Sequence, residues 1–74
     1  MVELLRSEIR KAESFASKRA GKPVVMTGWF TENCVSDFNT VWFLCEMFSK
    51  DTQERVEDVI LVVWLDDRRR SYVI

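Results

Sequence analysis

Asp66 and Asp67 stand side by side, and Glu54, Glu57 and Asp58 form a looser acidic group shortly before them. Paired carboxylates do general acid–base work when burial or a like charge pushes one of them toward a neutral pKa. Here the pair is followed at once by Arg68, Arg69 and Arg70 at a point where the chain must turn, so it reads as turn-forming, solvated charge. Histidine is absent altogether. That removes the usual base near neutral pH, every Ser-His or Cys-His nucleophile pair and most catalytic zinc sites. Neither a phosphate-cradling glycine loop nor an H-E-x-x-H pair occurs. We therefore expect no enzyme, and no catalytic, cofactor or metal residue.

Cys34 and Cys45 lack the C-x-x-C spacing of zinc and redox motifs. They read as small apolar side chains in or near a core, with a reactive thiol as the alternative. More unusual are the three tryptophans, Trp29, Trp42 and Trp64, beside five phenylalanines and one tyrosine, Tyr72. Trp, Tyr and Arg are the types enriched where proteins bind one another. Small domains also use aromatics to fill their cores.

The charge pattern leaves two partner classes in view. Residues 1–22 carry six bases and three acids, residues 23–67 two bases and nine acids, and Arg68 to Arg70 end the charged positions. Lys18, Arg19 and Lys22 with the arginine triplet can hold phosphates while a tryptophan stacks on a base. The sequence pI of about 5.4 weighs against that use, since nucleic-acid modules carry a basic surplus. The triplet also reads as a charged edge strand that resists pairing with other sheets.

Seventy-four residues, 47% hydrophobic and 31% charged with two glycines and one proline, describe one small ordered globular domain, 1–74. The longest apolar run is far short of a membrane span, and the N-terminus lacks the pattern of a signal peptide. A cytoplasmic protein is expected.

Those residues must be positioned by few elements. Val2, Leu5, Ile9, Ala12 and Ala16, widened by Leu4 and Phe15, recur at helical spacing, and Gly21 with Pro23 ends the helix near Arg19 or Ala20. A strand from Val24 to Phe30 follows, with Gly28 as a candidate bulge, and Thr31, Glu32 and Asn33 break it before a turn signal at Ser36 and Asp37. Asn39 to Phe48 is read as the second strand, although Phe38, Val41, Trp42, Cys45 and Phe48 also fit a helical stripe. Val56 to Leu65 is the third strand, Asp66 to Arg69 a turn and Arg70 to Ile74 the last strand. The fold class expected is α+β: an N-terminal amphipathic helix on an antiparallel meander of three to four strands, with a second short helix as the variant.

The third strand poses a problem of cover. Val59 to Leu65 is apolar without a break, so Val59, Leu61, Val63 and Leu65 face one way and Ile60, Val62 and Trp64 the other. In the second strand Val41, Phe43, Cys45 and Met47 oppose Trp42, Leu44 and Phe48, with Glu46 the one charge among them. A single helix covers one face. The other would be a contiguous apolar patch of the size that marks an interaction surface. Trp29, Trp42, Trp64, Arg68, Arg69, Arg70 and Tyr72 are the partner-binding candidates.

"VVMTGWF", followed by "TQERVEDVILVVWLDDRRRSYVI", resembles the phage discriminator-of-mRNA-degradation antitoxins, small proteins that bind and block a bacterial ribonuclease toxin. The resemblance covers roughly the chain from Val24 onward, fits poorly between Glu32 and Phe48, and leaves the N-terminal helix without a counterpart. It implies a non-enzymatic inhibitor that occludes a host protein, in the host cytoplasm if the gene is a phage's. The residues alone lead to a related expectation: a protein-binding module whose partner is a host protein or a second copy of itself. The alternative is a homodimer that binds nucleic acid through its basic ends.

Overall fold

The computed structural model describes residues 2–35 and 39–74, and the side chains of residues 32–35 are outside the description. The turn expected at Ser36 and Asp37, Phe38 and the Cys34 side chain lie outside the described residues. The chain is α+β, with a helix α1 (Arg6–Ala20) followed by strands β1 (Val24–Val35), β2 (Thr40–Ser49), β3 (Val59–Trp64) and β4 (Ser71–Val73). The strands form one open antiparallel sheet in the order β1-β2-β3-β4. Residues 40–49 are strand, and their pairing with both neighbours excludes the helical variant. No helix among the described residues is long and apolar enough to cross a membrane.

The helix starts one turn later than the apolar spacing predicts. Leu5 is extended (φ −79°, ψ 156°), and its N–H donates to the Glu8 carboxylate at 2.7 Å, which caps the first turn and leaves Val2 to Leu4 as a lead-in. At the other end Gly21 takes the left-handed conformation (φ 70°) and its N–H donates to Ser17 O at 2.9 Å, so the helix stops at Ala20 as its sequence requires.

Beneath α1 lies the core. On β2 and β3 the odd-numbered residues point to the helix, and Val41, Phe43, Cys45 and Met47 meet Val59, Leu61 and Val63 there, all buried. Ala12 and Ala16 are the helical residues pressed on this layer. Their small side chains allow close approach, while Leu5 and Phe15, expected in the apolar stripe, stay exposed. Glu8 takes a place in the buried stripe instead.

β1 differs most from expectation. It runs through Thr31, Glu32 and Asn33 to Val35 because its backbone pairs with β2 as far as Thr40, and polar residues are tolerated on an edge strand. Its register shifts twice, between Met26 and Gly28 and between Thr31 and Asn33. Met26 pairs with Met47 but Gly28 with Glu46, so Thr27 is an extra residue and the first shift is a bulge. On the outer edge, Ser17 Oγ accepts from Val24 N–H at 2.9 Å and Glu13 Oε2 accepts from Met26 N–H at 2.9 Å. The helix thereby covers part of an edge that would otherwise offer free backbone.

β3 is shorter than predicted. Arg55 still bridges Phe48 and Val56 N–H donates to Met47 O at 3.0 Å, yet the regular ladder begins at Val59. The Asp66–Arg69 turn closes as expected, with Asp66 Oδ1 accepting from the N–H groups of Arg68 and Arg69 at 3.1 and 2.9 Å. Arg69 itself has φ 44°.

Candidate functional site

Even-numbered residues of β2, β3 and β4 point away from the helix, and no described element covers them. Register sets them in rows across the sheet. Phe30 pairs with Leu44, Leu44 with Ile60, and Ile74 N–H donates to Ile60 O, which makes one apolar row from edge to edge. Trp42, Val62 and Tyr72 make the next row. Beyond it Thr40 pairs with Trp64, and Trp64 N–H donates to Arg70 O.

Exposure along the rows is uneven. Phe30 is 56% exposed, Ile74 55% and Tyr72 43%, whereas Val62 in the middle is 2% exposed. Exposure is thus highest on the two edge strands and lowest at the centre of the face. Trp64 and Tyr72 pack with ring centroids 5.0 Å apart and planes tilted by 37°. The Arg70 guanidinium lies over the Trp64 ring at 5.6 Å from its centroid, a cation–π arrangement, and is 3.7 Å from an Asp66 carboxylate oxygen. At the opposite end of the face, Arg55 is held by two carboxylates, Asp58 at 3.1 Å and Glu46 at 3.5 Å.

The bulge at Thr27 decides which β1 aromatic joins this face. Before it, Val24 and Met26 pair with the core-facing Ser49 and Met47; after it, Trp29 pairs with core-facing Cys45 and Phe30 with Leu44. Trp29 thus lies on the helix side, 37% exposed at the sheet edge, and is separated from Trp42, Trp64 and Tyr72. Phe30, which was not among the sequence-derived candidates, takes its place on the open face. Gly28 marks a candidate bulge in the sequence, but only the pairing shows the extra residue at Thr27, which inverts the side chains that follow it as far as the second register shift after Thr31.

Of the three arginines, the structure groups only Arg70 with the aromatics. Arg68 is exposed in the turn. Arg69 is held internally: Nε and Nη2 donate to the Glu8 carboxylate at 2.9 and 3.0 Å, and Nη2 also donates to Glu3 O. Burial works to raise the Glu8 pKa, but the Arg69 hydrogen bonds, the Leu5 N–H and the charges of Arg69 and Lys11 outweigh it and hold the carboxyl below its ordinary value. The bond to Glu8 raises the Arg69 pKa in turn. Cys45 is a buried free thiol. Burial, helped by the Asp58 charge, pushes its pKa up to about 11, so it stays protonated and unreactive at neutral pH.

The open face is an apolar area with exposed aromatic and aliphatic side chains at its edges and ion-paired groups at its ends. Among the described residues no group of three or more His, Cys, Asp or Glu is arranged to hold a metal. The fold and site define a small α+β protein with one face of its sheet open. Compared with models of known protein families, with curated proteins and with solved structures, the chain matches none.

Proposed function

We propose that this chain is a non-enzymatic protein-binding module that docks through the open face of its sheet. The observation that carries the reading is the contiguous band from Phe30 across Leu44 and Ile60 to Ile74, continued by Trp42, Tyr72 and Trp64, on the side opposite α1. Fully burying each large apolar side chain stabilises by about 1.5–3 kcal/mol, so covering several gives a partner substantial driving force. Arg70 and the Glu46–Arg55–Asp58 group at the ends supply orientation by charge.

The resemblance to phage antitoxins gives this module a concrete form, an inhibitor that occludes a host protein. Of the stretches that carry the resemblance, one holds Phe30 at the first edge of the face and the other holds Trp64 and Tyr72 toward the second. The central residues Trp42 and Leu44 lie between them, where the resemblance fits poorly. The alternative, nucleic-acid binding through paired basic ends, has fewer free cations than the sequence offers. Arg69 is held by Glu8, Arg19 donates to Glu57 O and Asp58 O, and Lys11 donates to Ser71 O.

Quantitative cross-linked capture on immobilised chain from a bacterial lysate tests the reading. Trp64→Ala and Phe30→Ala should each lower a specifically captured protein at least tenfold, while Phe15→Ala, an exposed aromatic on the helix side, should not. Equal capture by all four chains would sink it.

A further inference from the structure

Both edges of the sheet are tied to α1, and on β1 the ties take the form of strand pairing. Lys50 N–H donates to Pro23 O at 3.0 Å, so the Pro23 backbone faces β2 and alternation turns the N–H and C=O of Val24 and Met26 outward. Ser17 Oγ accepts from Val24 N–H at 2.9 Å and donates to Val24 O at 3.3 Å, and Glu13 Oε2 accepts from Met26 N–H at 2.9 Å. Residues four apart on a helix are separated by a rise of about 6.0 Å, and residues two apart on a strand by about 6.6 Å. The spacings match, so one helical face meets successive outward groups of β1. At the far edge Arg70 O accepts from Trp64 N–H, which leaves Ser71 O outward, and Lys11 Nζ donates to it at 2.8 Å.

The sequence of β1 makes such cover necessary. No charge occurs from Pro23 to Thr31, and an apolar strand without charge or internal proline is a template for pairing with another chain. Helical cover ends at Met26, because one turn before Glu13 the helix carries Ile9, which packs on the core. There the bulge takes over. Odd-numbered residues of β2 turn their backbone to β3, as Met47 O does in accepting from Val56 N–H, so Trp29 and Thr31, opposite Cys45 and Phe43, carry the next outward groups. The extra residue Thr27 puts them out of step with Val24 and Met26.

We propose that Glu13, Ser17 and the Thr27 bulge form a guard on this edge. The two side chains stand in for a fifth strand over Val24 and Met26, and the bulge divides the edge into two short stretches, so that β1 does not pair with the β1 of a second copy. Removing both devices leaves one even edge from Val24 to Thr31.

Sedimentation equilibrium from micromolar to millimolar chain, with amide hydrogen exchange, tests the guard. Glu13→Ala combined with Ser17→Ala should speed exchange of the Val24 and Met26 amides at least tenfold and leave the mass that of the wild type. Deleting Thr27 as well should double the mass, with exchange at Trp29 and Thr31 slowing as the chain associates. Glu13→Gln with Ser17→Thr keeps an acceptor at each place and should hold the Thr27 deletion to the wild-type mass. Should the three-change chain fail to fold by far-ultraviolet circular dichroism, Glu13→Ala with the Thr27 deletion replaces it. A folded unguarded chain of wild-type mass, an association that leaves Trp29 and Thr31 exchange unchanged, or one that the Gln and Thr replacements do not suppress overturns the proposal. So does a wild-type chain whose Trp29 and Thr31 amides slow with concentration.

Discussion

Glu8 and Arg69 are 61 positions apart in sequence, and the two carboxylate oxygens of Glu8 accept from Nε and Nη2 of Arg69 at 2.9 and 3.0 Å. Glu8 is almost wholly buried, and it also caps the helix through Leu5 N–H. One carboxylate therefore ties the first turn of α1 to the β3–β4 turn.

Removing Arg69 strands that carboxylate. Arg69→Ala should lower unfolding free energy by about 2–3 kcal/mol, below the ~3–5 typical of a fully buried pair because part of the guanidinium keeps its water. Glu8→Gln should cost less, since the amide oxygen still accepts one of the bonds. Urea denaturation of the two variants checks the order.

The pair also makes stability depend on pH. Glu8 titrates near its ordinary 4.5 in the unfolded chain and below that when folded. A group with a lowered folded pKa binds protons more readily unfolded, so its stabilisation is complete above 4.5 and is lost as pH falls through the folded value. The urea midpoint of the wild type should approach that of Glu8→Gln as pH falls below 4.5. A gap that stays constant over this window would contradict the assignment.

The two glycines should answer differently to alanine. Gly21 has φ 70°, a strained conformation for any side chain, although nothing crowds it. Gly21→Ala should cost about 1 kcal/mol. At Gly28 an added Cβ would meet Glu46 Oε1 at 3.5 Å, an ordinary contact, so Gly28→Ala should change stability by less than about 0.5 kcal/mol. Thermal or urea melts compare the two directly.

The two sheet faces should separate stability from binding. Phe43→Ala empties the centre of the covered face and should cost about 3–5 kcal/mol. Phe30→Ala on the open face should cost less than about 1 kcal/mol in stability while weakening capture. Paired melts and binding measurements distinguish these outcomes.

Cys45 should resist thiol reagents. With its pKa raised to about 11, only about a thousandth is thiolate at pH 8. In a Cys34→Ser background, labelling of the folded chain should be slow and should become fast in denaturant. Rapid labelling of the folded chain would show the core to be open there.

Local chemistry was enough to read most of the framework from the sequence. Gly21 and Pro23 end the helix because one permits a left-handed residue and the other cannot continue a helix. The unbroken Val59 to Trp64 run is a central strand because both its neighbours and its two faces demand apolar cover. Asp66 makes a turn through its own side-chain oxygen. The presence of an uncovered aromatic face was legible too, since one helix cannot cover two sides of a sheet.

Tertiary structure alone decided the rest, where distant groups outweigh local preference. Glu8 is a surface residue by type, and its burial is made tolerable chiefly by an arginine 61 positions away. Polar residues after Phe30 look like the end of a strand, yet pairing with β2 carries β1 on to Val35. The face on which Trp29 and Phe30 lie was hidden because side-chain alternation is a matter of parity. One extra residue at Thr27 inverts it, and only the pairing of β1 with β2 locates that residue.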